Sequence, residues 1–441
     1  MASSVQSEGP GHEAVLAEAQ RVTLIEPPSA KGLTSAKTRP VLDSAVKSVE
    51  ATPAGVSVQW ADGDASTYHY EWLHRNRPET HLPCGQNTQS PCVVPPADVQ
   101  ASKASLSPDG SIVRVVWGAG PDVSMYKASW LREYAYSKPS LAAKGQQRAA
   151  PFASTIGSVR YEDVMRDDAH VREWLEIINR DGLCVVRDVP VKDNQVIKVA
   201  SRIGGIMPTI YGLQWDVRTV AQPINCAYTN HGLDLHQDLA YYESPPGIQL
   251  LHCLRFDESI IGGLSTFADA FQVANLLRAR DPEAFETLTK VPATFQKIHY
   301  DRPDPVHIEY RRPHIETNSQ GDVINVFWSP AFEGPLEAPS ELVPAYYKAY
   351  RKFAEIAQEE GVLLKFRLKP GELVTFSNRR LLHGRTAFSE GEGAVRHLQG
   401  CYVTIETYIN RLRVLQNREG DPTAKRLSGV QLVRCSNGDF S

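Results

Sequence analysis

His236-Gln237-Asp238 is the stretch that decides how this chain should fold, together with His383-Gly384-Arg385 much further along. Side chains two residues apart on an extended segment point the same way, so His236 and Asp238 can bind one ion from a strand end. Two histidines and one carboxylate occupy one face of an octahedron and leave three neighbouring positions open, as in non-haem Fe(II) sites. We therefore expect His236, Asp238 and His383 to be the ligands of an iron ion.

Two other histidines are followed by an acid two residues later, in His307-Ile308-Glu309 and His314-Ile315-Glu316. Both lie in a segment rich in arginine and proline, which predicts a solvated loop. Neither is followed at long range by a histidine with a basic residue shortly after it. His236-Gln237-Asp238 is followed by His383 and then by Arg396, and this context separates it from the other two.

Longer runs of sequence surround the three expected ligands. They are Tyr228-Thr229-Asn230, Ser244-Pro245-Pro246-Gly247-Ile248-Gln249-Leu250-Leu251-His252-Cys253, Gly262-Gly263-Leu264-Ser265-Thr266, Pro370-Gly371-Glu372, Leu381-Leu382-His383-Gly384-Arg385 and Arg396-His397-Leu398-Gln399-Gly400-Cys401-Tyr402. On these runs, residues 165–415 resemble the gamma-butyrobetaine hydroxylase and trimethyllysine hydroxylase group of Fe(II)/2-oxoglutarate dioxygenases. The resemblance implies an α+β protein whose catalytic domain is a double-stranded β-helix (jelly roll) with flanking helices. It also implies Fe(II), 2-oxoglutarate as co-substrate, O2 and a homodimer.

The resemblance assigns the co-substrate site. Arg396 matches the residue that forms a bidentate salt bridge to the distal carboxylate of 2-oxoglutarate, which suits the planar guanidinium. Arg385 is the alternative anchor. Ser265 or Thr266 matches a position that often adds a hydroxyl hydrogen bond to the same molecule, and Asn225 matches a polar pocket residue, although a structural role for it is equally open.

The resemblance also predicts an aromatic box for a trimethylammonium group, formed by Tyr211, Trp215, Tyr228 and Tyr402. Ring faces attract a cation that cannot donate hydrogen bonds. The Phe327-Trp328 pair replaces asparagines that read the substrate carboxylate in carnitine-forming relatives. We therefore expect Trp328 to contact a small, cationic substrate that need not be butyrobetaine or trimethyllysine.

Composition excludes several classes of protein. The chain has 441 residues, enough for two domains, with 42% hydrophobic and 22% charged residues. A formal charge of -4 gives no reason to expect nucleic acid or an anionic membrane as a partner. No apolar run approaches the roughly 18 residues of a spanning helix.

Cysteine usage bears on the compartment. Seven scattered cysteines, an odd number, predict a reducing intracellular location. Acidic residues near the N-terminus disfavour a mitochondrial presequence, although later basic residues leave one open. We expect a cytoplasmic enzyme.

Composition and periodicity divide the chain. Residues 1–45 are expected to be a loose tail, 46–137 a small β-rich domain, 138–158 a linker, 159–415 the dioxygenase domain and 416–441 a second tail. The small domain contains a weak repeat, in which Val56–Gly63 and Val113–Gly118 are each followed by a Trp-Leu pair. Periodicity further predicts helices over 162–180, 269–290 and 344–360, and strands over 182–186, 249–254 and 372–376.

The small domain departs from its relatives. Animal members hold a structural zinc with three closely spaced cysteines after a Trp-Leu pair and a distant histidine. Here Trp72-Leu73 is followed by His74, Arg75, Asn76 and Arg77. A zinc site needs four donors, so we expect the family zinc site to be lost and the domain to be held by its tryptophans. The residues that remain as an alternative ligand set are His74, His81, Cys84 and Cys92.

These observations predict an Fe(II)/2-oxoglutarate-dependent dioxygenase that hydroxylates a small quaternary-ammonium or amino-acid-like substrate, as in carnitine biosynthesis. One alternative is a secondary-metabolite oxygenase of the same fold that desaturates, cyclises or cleaves its substrate. Another is a binding protein without turnover, which an intact metal triad and Arg396 argue against.

Overall fold

A computed structural model describes residues 44–80, 98–145, 156–218, 229–319, 321–389 and 394–418. The chain divides into two compact units, Thr34–Arg148 and a larger unit formed by Met1–Leu33 with Ala149–Ser441. The predicted tails lie almost wholly outside the described residues. No helix among the described residues is long and apolar enough to cross a membrane.

The small unit consists of two similar halves, each a three-stranded antiparallel sheet followed by a short helix. Its strands are β1 (Val46–Thr52), β2 (Gly55–Trp60), β3 (Ala65–Tyr68), β4 (Ala101–Leu106), β5 (Ile112–Trp117) and β6 (Val123–Lys127), and its helices are Tyr70–Arg75, Ala128–Glu133 and Lys138–Gly145, with a 3-10 turn at Pro78–Thr80. The last helix lies in the stretch predicted to be a linker.

The two halves of the small unit are joined by reciprocal hydrogen bonds. Tyr68 in the first half donates to the Leu131 carbonyl in the second at 2.6 Å, and Tyr126 in the second donates to the Leu73 carbonyl in the first at 2.7 Å. The sequence repeat is therefore a structural duplication in which each half satisfies a buried carbonyl of the other.

An ion-pair cluster follows the first Trp-Leu pair, Trp72-Leu73. Arg77 pairs with Glu79 and Asp122, and Glu79 also accepts from the Ser124 hydroxyl. The cluster already holds one cation, neutralised by two carboxylates. Of the alternative zinc ligands, His74 packs edge-on against Trp117, and His81, Cys84 and Cys92 lie outside the described residues.

The larger unit contains two principal sheets. Its strands are β7 (Ser158–Arg160), β8 (Leu183–Arg187), β9 (Trp215–Val217), β10 (Leu233–His236), β11 (Ile248–Phe256), β12 (Ile261–Gly262), β13 (Ser265–Asp269), β14 (Pro292–His299), β15 (Val306–Pro313), β16 (Ile315–Thr317), β17 (Val323–Val326), β18 (Leu363–Phe366), β19 (Leu373–Ser377), β20 (Leu381–Arg385), β21 (Phe388–Ser389) and β22 (Arg396–Val403). The six-stranded sheet has the order β7-β8-β19-β11-β22-β9, and the four-stranded sheet has the order β10-β20-β13-β18.

Helices flank these sheets. They are Tyr161–Arg166, Asp168–Asp181, Gln195–Ala200, Ala270–Arg280, Pro282–Lys290, Val343–Ala357 and Ile405–Arg418, with 3-10 turns at Pro330–Phe332 and Ser340–Leu342. The predicted mixture of helices and sheets is confirmed, and two sheets with flanking helices are consistent with a double-stranded β-helix.

The two sheets enclose an interior cluster of buried side chains. Val374 and Phe376 from the six-stranded sheet meet Phe267 and Phe366 from the four-stranded sheet, and the Phe267 and Phe376 ring centroids lie 5.0 Å apart. Successive residues of a strand face opposite sides. The alternate residues of the six-stranded sheet therefore face a separate cluster formed with the helices.

Two predicted helices are each interrupted by a capping aspartate. The helix expected over 162–180 ends at Arg166, and Asp167 then caps Asp168–Asp181 by accepting from the His170 N–H. The helix expected over 269–290 breaks at Asp281, which caps the segment beginning at Pro282. Proline is favoured in the first turn of a helix and disfavoured inside one, so Pro282 explains the second break.

The prediction of a solvated loop around His307 and His314 was wrong. Strand β15 pairs with β14 over its whole length, and His314 is fully buried, with Nδ1 2.8 Å from the Phe327 carbonyl oxygen and Nε2 2.8 Å from the Tyr346 hydroxyl oxygen. The missed signal is a period of two: Val306 and Arg312 lie on the buried face, and His307 and Glu309 do not.

Candidate functional site

The three expected metal ligands meet at the edge of the four-stranded sheet. His236 ends β10 and stands directly opposite His383 on β20, and their ring centroids are 4.4 Å apart. Asp238 follows in the turn after β10. His236 Nε2 lies 3.4 Å from Asp238 Oδ1, and His383 Nε2 lies 3.7 Å from Asp238 Oδ2. One donor atom from each residue lies within 4.8 Å of the others, so a single ion fits among them.

Asn378 fixes the backbone of Asp238. Its Oδ1 accepts from the Asp238 N–H at 2.9 Å, and its Nδ2 donates to the Asp238 carbonyl at 3.0 Å and to the Pro246 carbonyl at 3.2 Å. The Asn378 side chain thus makes, with the N–H and the carbonyl of Asp238, the two hydrogen bonds that a neighbouring strand would make in a sheet. Leu239, the next residue, has a φ of 56°, which is uncommon for leucine, and the Asn378 clamp helps to hold this strained turn.

Gln237 fixes the same turn from the opposite side. Its backbone N–H donates to the Trp328 carbonyl at 2.7 Å, and its Oε1 accepts from the Trp328 N–H at 3.1 Å. The middle residue of the motif therefore anchors the two ligands to the segment after β17. The backbone of the motif is held on both sides by side-chain amides.

The electrostatics of the three residues suit a cation. Burial, and then the charge of His236, lowers the pKa of His383 to about 3, so this ring is neutral near pH 7 and can donate a lone pair. Burial would raise the pKa of Asp238, but His383 and His236, both protonated in the acid range where this carboxyl titrates, and the Tyr402 hydrogen bond lower it on balance, so the carboxylate is ionised near pH 7. Burial would lower the pKa of His236, but the same carboxylate raises it on balance. A metal ion would replace the proton that this pair attracts.

Tyr402 contacts the site in a way that the sequence did not predict. Its hydroxyl donates to Asp238 Oδ2 at 2.6 Å, within the range of charge-assisted O–H···O bonds. Its ring stacks on Trp215, with centroids 4.1 Å apart and an interplanar angle of 27°. Gly400 leaves the space for this stack, since an added Cβ there would stand 2.6 Å from the Trp215 ring.

Arg396 is buried, and no carboxylate among the described residues pairs with it. Its side chain lies over the rings of Phe256 and Phe388, and its Nε has no hydrogen-bond partner among the described residues. Burial, and then the charge of Arg385, lowers the pKa of Arg396 to about 9. A buried guanidinium without a counter-charge is costly, so this geometry suits an anionic ligand.

The neighbours of Arg396 distinguish between the predicted alternatives. Arg385 already donates to the Thr229 and His231 carbonyls, both at 2.8 Å, which makes it the weaker candidate for the anchor. Ser265 stands opposite Arg385 in the sheet, on the face that Phe267 and His383 share. Thr266 points to the other face, so Ser265 is the better placed hydroxyl.

The aromatic box is described only in part. Trp215 and Tyr402 meet as a stacked pair with centroids 4.1 Å apart, so no cation fits between them. Tyr211 packs against the cluster that contains Tyr402 and Tyr241. Tyr228 and Asn225 lie outside the described residues. Trp328 is 2% exposed and stacks on Tyr350 at 4.3 Å, contacts of core packing, and its role in substrate binding stays a prediction.

Sequence reasoning missed Asn378 and the Tyr402 hydroxyl. Asn378 follows β19 in the short turn that leads to the ligand strand β20. A polar turn residue so close to His383 was the available signal, but its partner lies 140 positions away. The aromatic identity of Tyr402 was recognised, whereas the contact of its hydroxyl depends on the fold.

The chain is similar to proteins of known function. The family described as "Taurine catabolism dioxygenase TauD, TfdA family" matches residues 146–402. The gamma-butyrobetaine dioxygenase of Pseudomonas sp. (strain AK-1) is 36% identical over 393 residues, covering 85% of this chain and 97% of the relative. The gamma-butyrobetaine dioxygenase of Homo sapiens is 30% identical over 372 residues, covering 82% and 95%. Dioxygenase str8 of Strobilurus tenacellus is 33% identical over 339 residues, covering 73% and 78%.

Proposed function

Because the chain belongs to the TauD/TfdA family of dioxygenases, we propose that it uses Fe(II) and 2-oxoglutarate to hydroxylate a small quaternary-ammonium or amino-acid-like substrate. The observation that carries this proposal is the convergence of His236, Asp238 and His383 in one half-buried site. Arg396 adds a buried guanidinium that no carboxylate among the described residues neutralises. We take the two facing sheets to be a double-stranded β-helix. In the overall reaction, substrate, 2-oxoglutarate and O2 give hydroxylated substrate, succinate and CO2.

The donor set fits Fe(II), because two imidazoles and a carboxylate on one face leave room for further ligands. When bound, the iron supplies the activation of O2 that protein side chains cannot provide. The protein groups bind and orient the reactants. Arg396 binds the distal carboxylate of 2-oxoglutarate, Ser265 adds a hydroxyl, and the surrounding phenylalanines exclude water.

For the substrate, we propose a cation held against the outer faces of Trp215 and Tyr402, with Tyr211 and Tyr228 completing the pocket. Asn225 remains a proposed residue of the co-substrate site. Similarity to two gamma-butyrobetaine dioxygenases supports a quaternary ammonium group. We further propose that the protein is a cytoplasmic homodimer. The small domain of each subunit is proposed to bind no zinc. The Arg77 cluster supports the absence of zinc, since it supplies a cation of its own.

The second candidate function is an oxygenase of the same fold that desaturates, cyclises or cleaves its substrate. The Phe327-Trp328 pair favours it, because asparagines at this place read the substrate carboxylate in carnitine-forming relatives. Incubation of the iron-loaded protein with 2-oxoglutarate and a panel of quaternary amines, followed by mass spectrometry, tests both functions. Hydroxylation adds one oxygen atom, and desaturation removes two hydrogen atoms. Failure of every amine to stimulate succinate formation would contradict the proposed substrate class.

Replacement of Trp215 tests the cation pocket. Trp215→Leu keeps an apolar side chain but removes the ring quadrupole, so a trimethylammonium substrate should lose about 1 to 2 kcal/mol of binding. A neutral isostere, with carbon in place of the ammonium nitrogen, should lose much less. Calorimetric titration of both ligands provides the comparison, and parallel weakening would show that Trp215 contributes packing alone. Trp174→Leu, a buried tryptophan in the helical cluster, is the control for loss of an indole.

A further inference from the structure

The two oxygens of Asp238 have different surroundings. Oδ1 lies 3.4 Å from His236 Nε2, and Oδ2 lies 3.7 Å from His383 Nε2, but only Oδ2 also accepts a short hydrogen bond, from the Tyr402 hydroxyl at 2.6 Å. A short bond to an ionised oxygen is among the stronger hydrogen bonds in proteins and reduces the electron density available to a metal. The carboxylate is therefore polarised toward one ligand atom.

The positions of both partners are fixed independently. Asn378 holds the backbone of Asp238 through its N–H and its carbonyl, so only the carboxylate itself can rotate. Tyr402 is 2% exposed, lies on β22 opposite Gln249 of β11 and is stacked on Trp215. A buried, stacked ring cannot move its hydroxyl without displacing its neighbours.

The number of oxygens that Asp238 gives to the metal determines how many positions remain. With one oxygen, the three protein ligands occupy three positions of an octahedron. With both oxygens, they occupy four and leave two. A co-substrate that binds through two atoms, together with O2, needs three positions. Both can therefore bind only when Asp238 gives the metal a single oxygen.

We propose that Tyr402 is a positioning residue that keeps Asp238 a monodentate ligand, by occupying Oδ2 and leaving Oδ1 to the metal. This inference rests on the proposed metal site. It gives Tyr402 a second role, because the same ring forms a wall of the proposed cation pocket. The hydroxyl acts on the metal ligand, and the ring acts on the substrate.

Tyr402→Phe separates the two roles, since it removes the hydroxyl and keeps the ring. Infrared spectra of protein labelled with 13C in the aspartate carboxyl group report the binding mode, because the two carboxylate stretching bands lie further apart for a monodentate ligand than for a bidentate one. The difference between Mn(II)-loaded and metal-free protein isolates the aspartate that binds the ion. We expect wide splitting in the parent and narrower splitting in Tyr402→Phe.

Turnover supplies the second readout. Loss of an outer contact to a metal ligand is expected to lower 2-oxoglutarate consumption by roughly 10- to 100-fold. Tyr408→Phe is the matched control, because Tyr408 is also fully buried and donates to the Leu175 carbonyl, in the cluster outside the sheets. Its infrared difference spectrum should equal that of the parent.

Three results would overturn the account, each in a different place. Equal splitting in the parent and in Tyr402→Phe would overturn the role of Tyr402 while leaving the metal site intact. Narrow splitting already in the parent would show a bidentate Asp238. Absence of any Mn(II)-dependent aspartate band in the parent would overturn the proposed metal site itself.

Discussion

Asp238→Ala should abolish turnover while the protein remains folded. The substitution removes one of three metal ligands in a half-buried turn, but no large apolar side chain from the core. Outer partners of metal ligands alone are worth roughly 10- to 100-fold in affinity or activity, so loss of a ligand should lower succinate formation by more than about 100-fold. Mn(II) binding, followed by equilibrium dialysis, should weaken in parallel, and the thermal transition should stay cooperative.

Asp234→Ala is the control for this experiment. Asp234 lies on the same strand, and His236 contacts only its carbonyl, at 2.7 Å. Its loss changes the local charge equally and should leave both metal binding and turnover near the parent values. Parent-level consumption of 2-oxoglutarate by Asp238→Ala would show that the metal site is elsewhere.

Arg396→Ala should raise the requirement for 2-oxoglutarate far more than that for the amine. The proposed pair is a charge-assisted, bidentate bond in a buried site, and its loss costs about 2 to 5 kcal/mol, including the carboxylate left unpaired. The apparent KM for 2-oxoglutarate should therefore rise at least roughly 30-fold, since about 1.4 kcal/mol corresponds to a factor of ten. Steady-state kinetics with each substrate varied in turn provide the measurement.

Arg367→Ala is the matched control for Arg396→Ala. Its guanidinium also lies over the Phe256 ring, at 3.7 Å from the centroid, but it donates to the Ile260 and Asp257 carbonyls. The loss of charge is the same, yet the KM for 2-oxoglutarate should change little. Equal weakening of both substrates in Arg396→Ala, or a large effect only in Arg385→Ala, would assign the anchor to another residue.

The convergence of His236, Asp238 and His383 could be predicted from the sequence because the spacing of the first two is local. His236 ends a strand and Asp238 follows two residues later in the turn, close enough for both to reach one ion, and one further histidine completes the set. The structure then places His383 directly opposite His236 in the sheet. The predicted family and enzyme class are confirmed by the family match and by relatives at 30% and 36% identity.

The support of the ligands could not be predicted, because it depends on contacts between distant parts of the chain. The bonds from Asn378 and Tyr402 to Asp238 join residues 140 and 164 positions apart. Neither residue type identifies its partner in advance. The error at β15 had another origin: arginines and prolines hid an alternation of buried and exposed residues, and the prolines stand before the strand and at its end.

The stacking of Trp215 on Tyr402 also could not be predicted from the sequence. Four aromatic residues predicted a box, but their identity does not specify whether two rings face a ligand or each other. Gly400 determines this, since only a residue without a side chain admits the Trp215 ring over β22. The two rings therefore face each other, and a cation cannot lie between them as the predicted box required.

The central claim is that 2-oxoglutarate and the amine are oxidised together at one iron site. The most direct measurement incubates the iron-loaded protein with 2-oxoglutarate, 18O2 and one amine, either gamma-butyrobetaine or the best amine of the panel. Mass spectrometry then determines the amount and the 18O content of both products. The account predicts equal amounts of succinate and hydroxylated amine, each with one labelled oxygen atom, and neither product from Asp238→Ala. An oxidised amine formed without 2-oxoglutarate, or succinate formed equally with and without every amine, would contradict it.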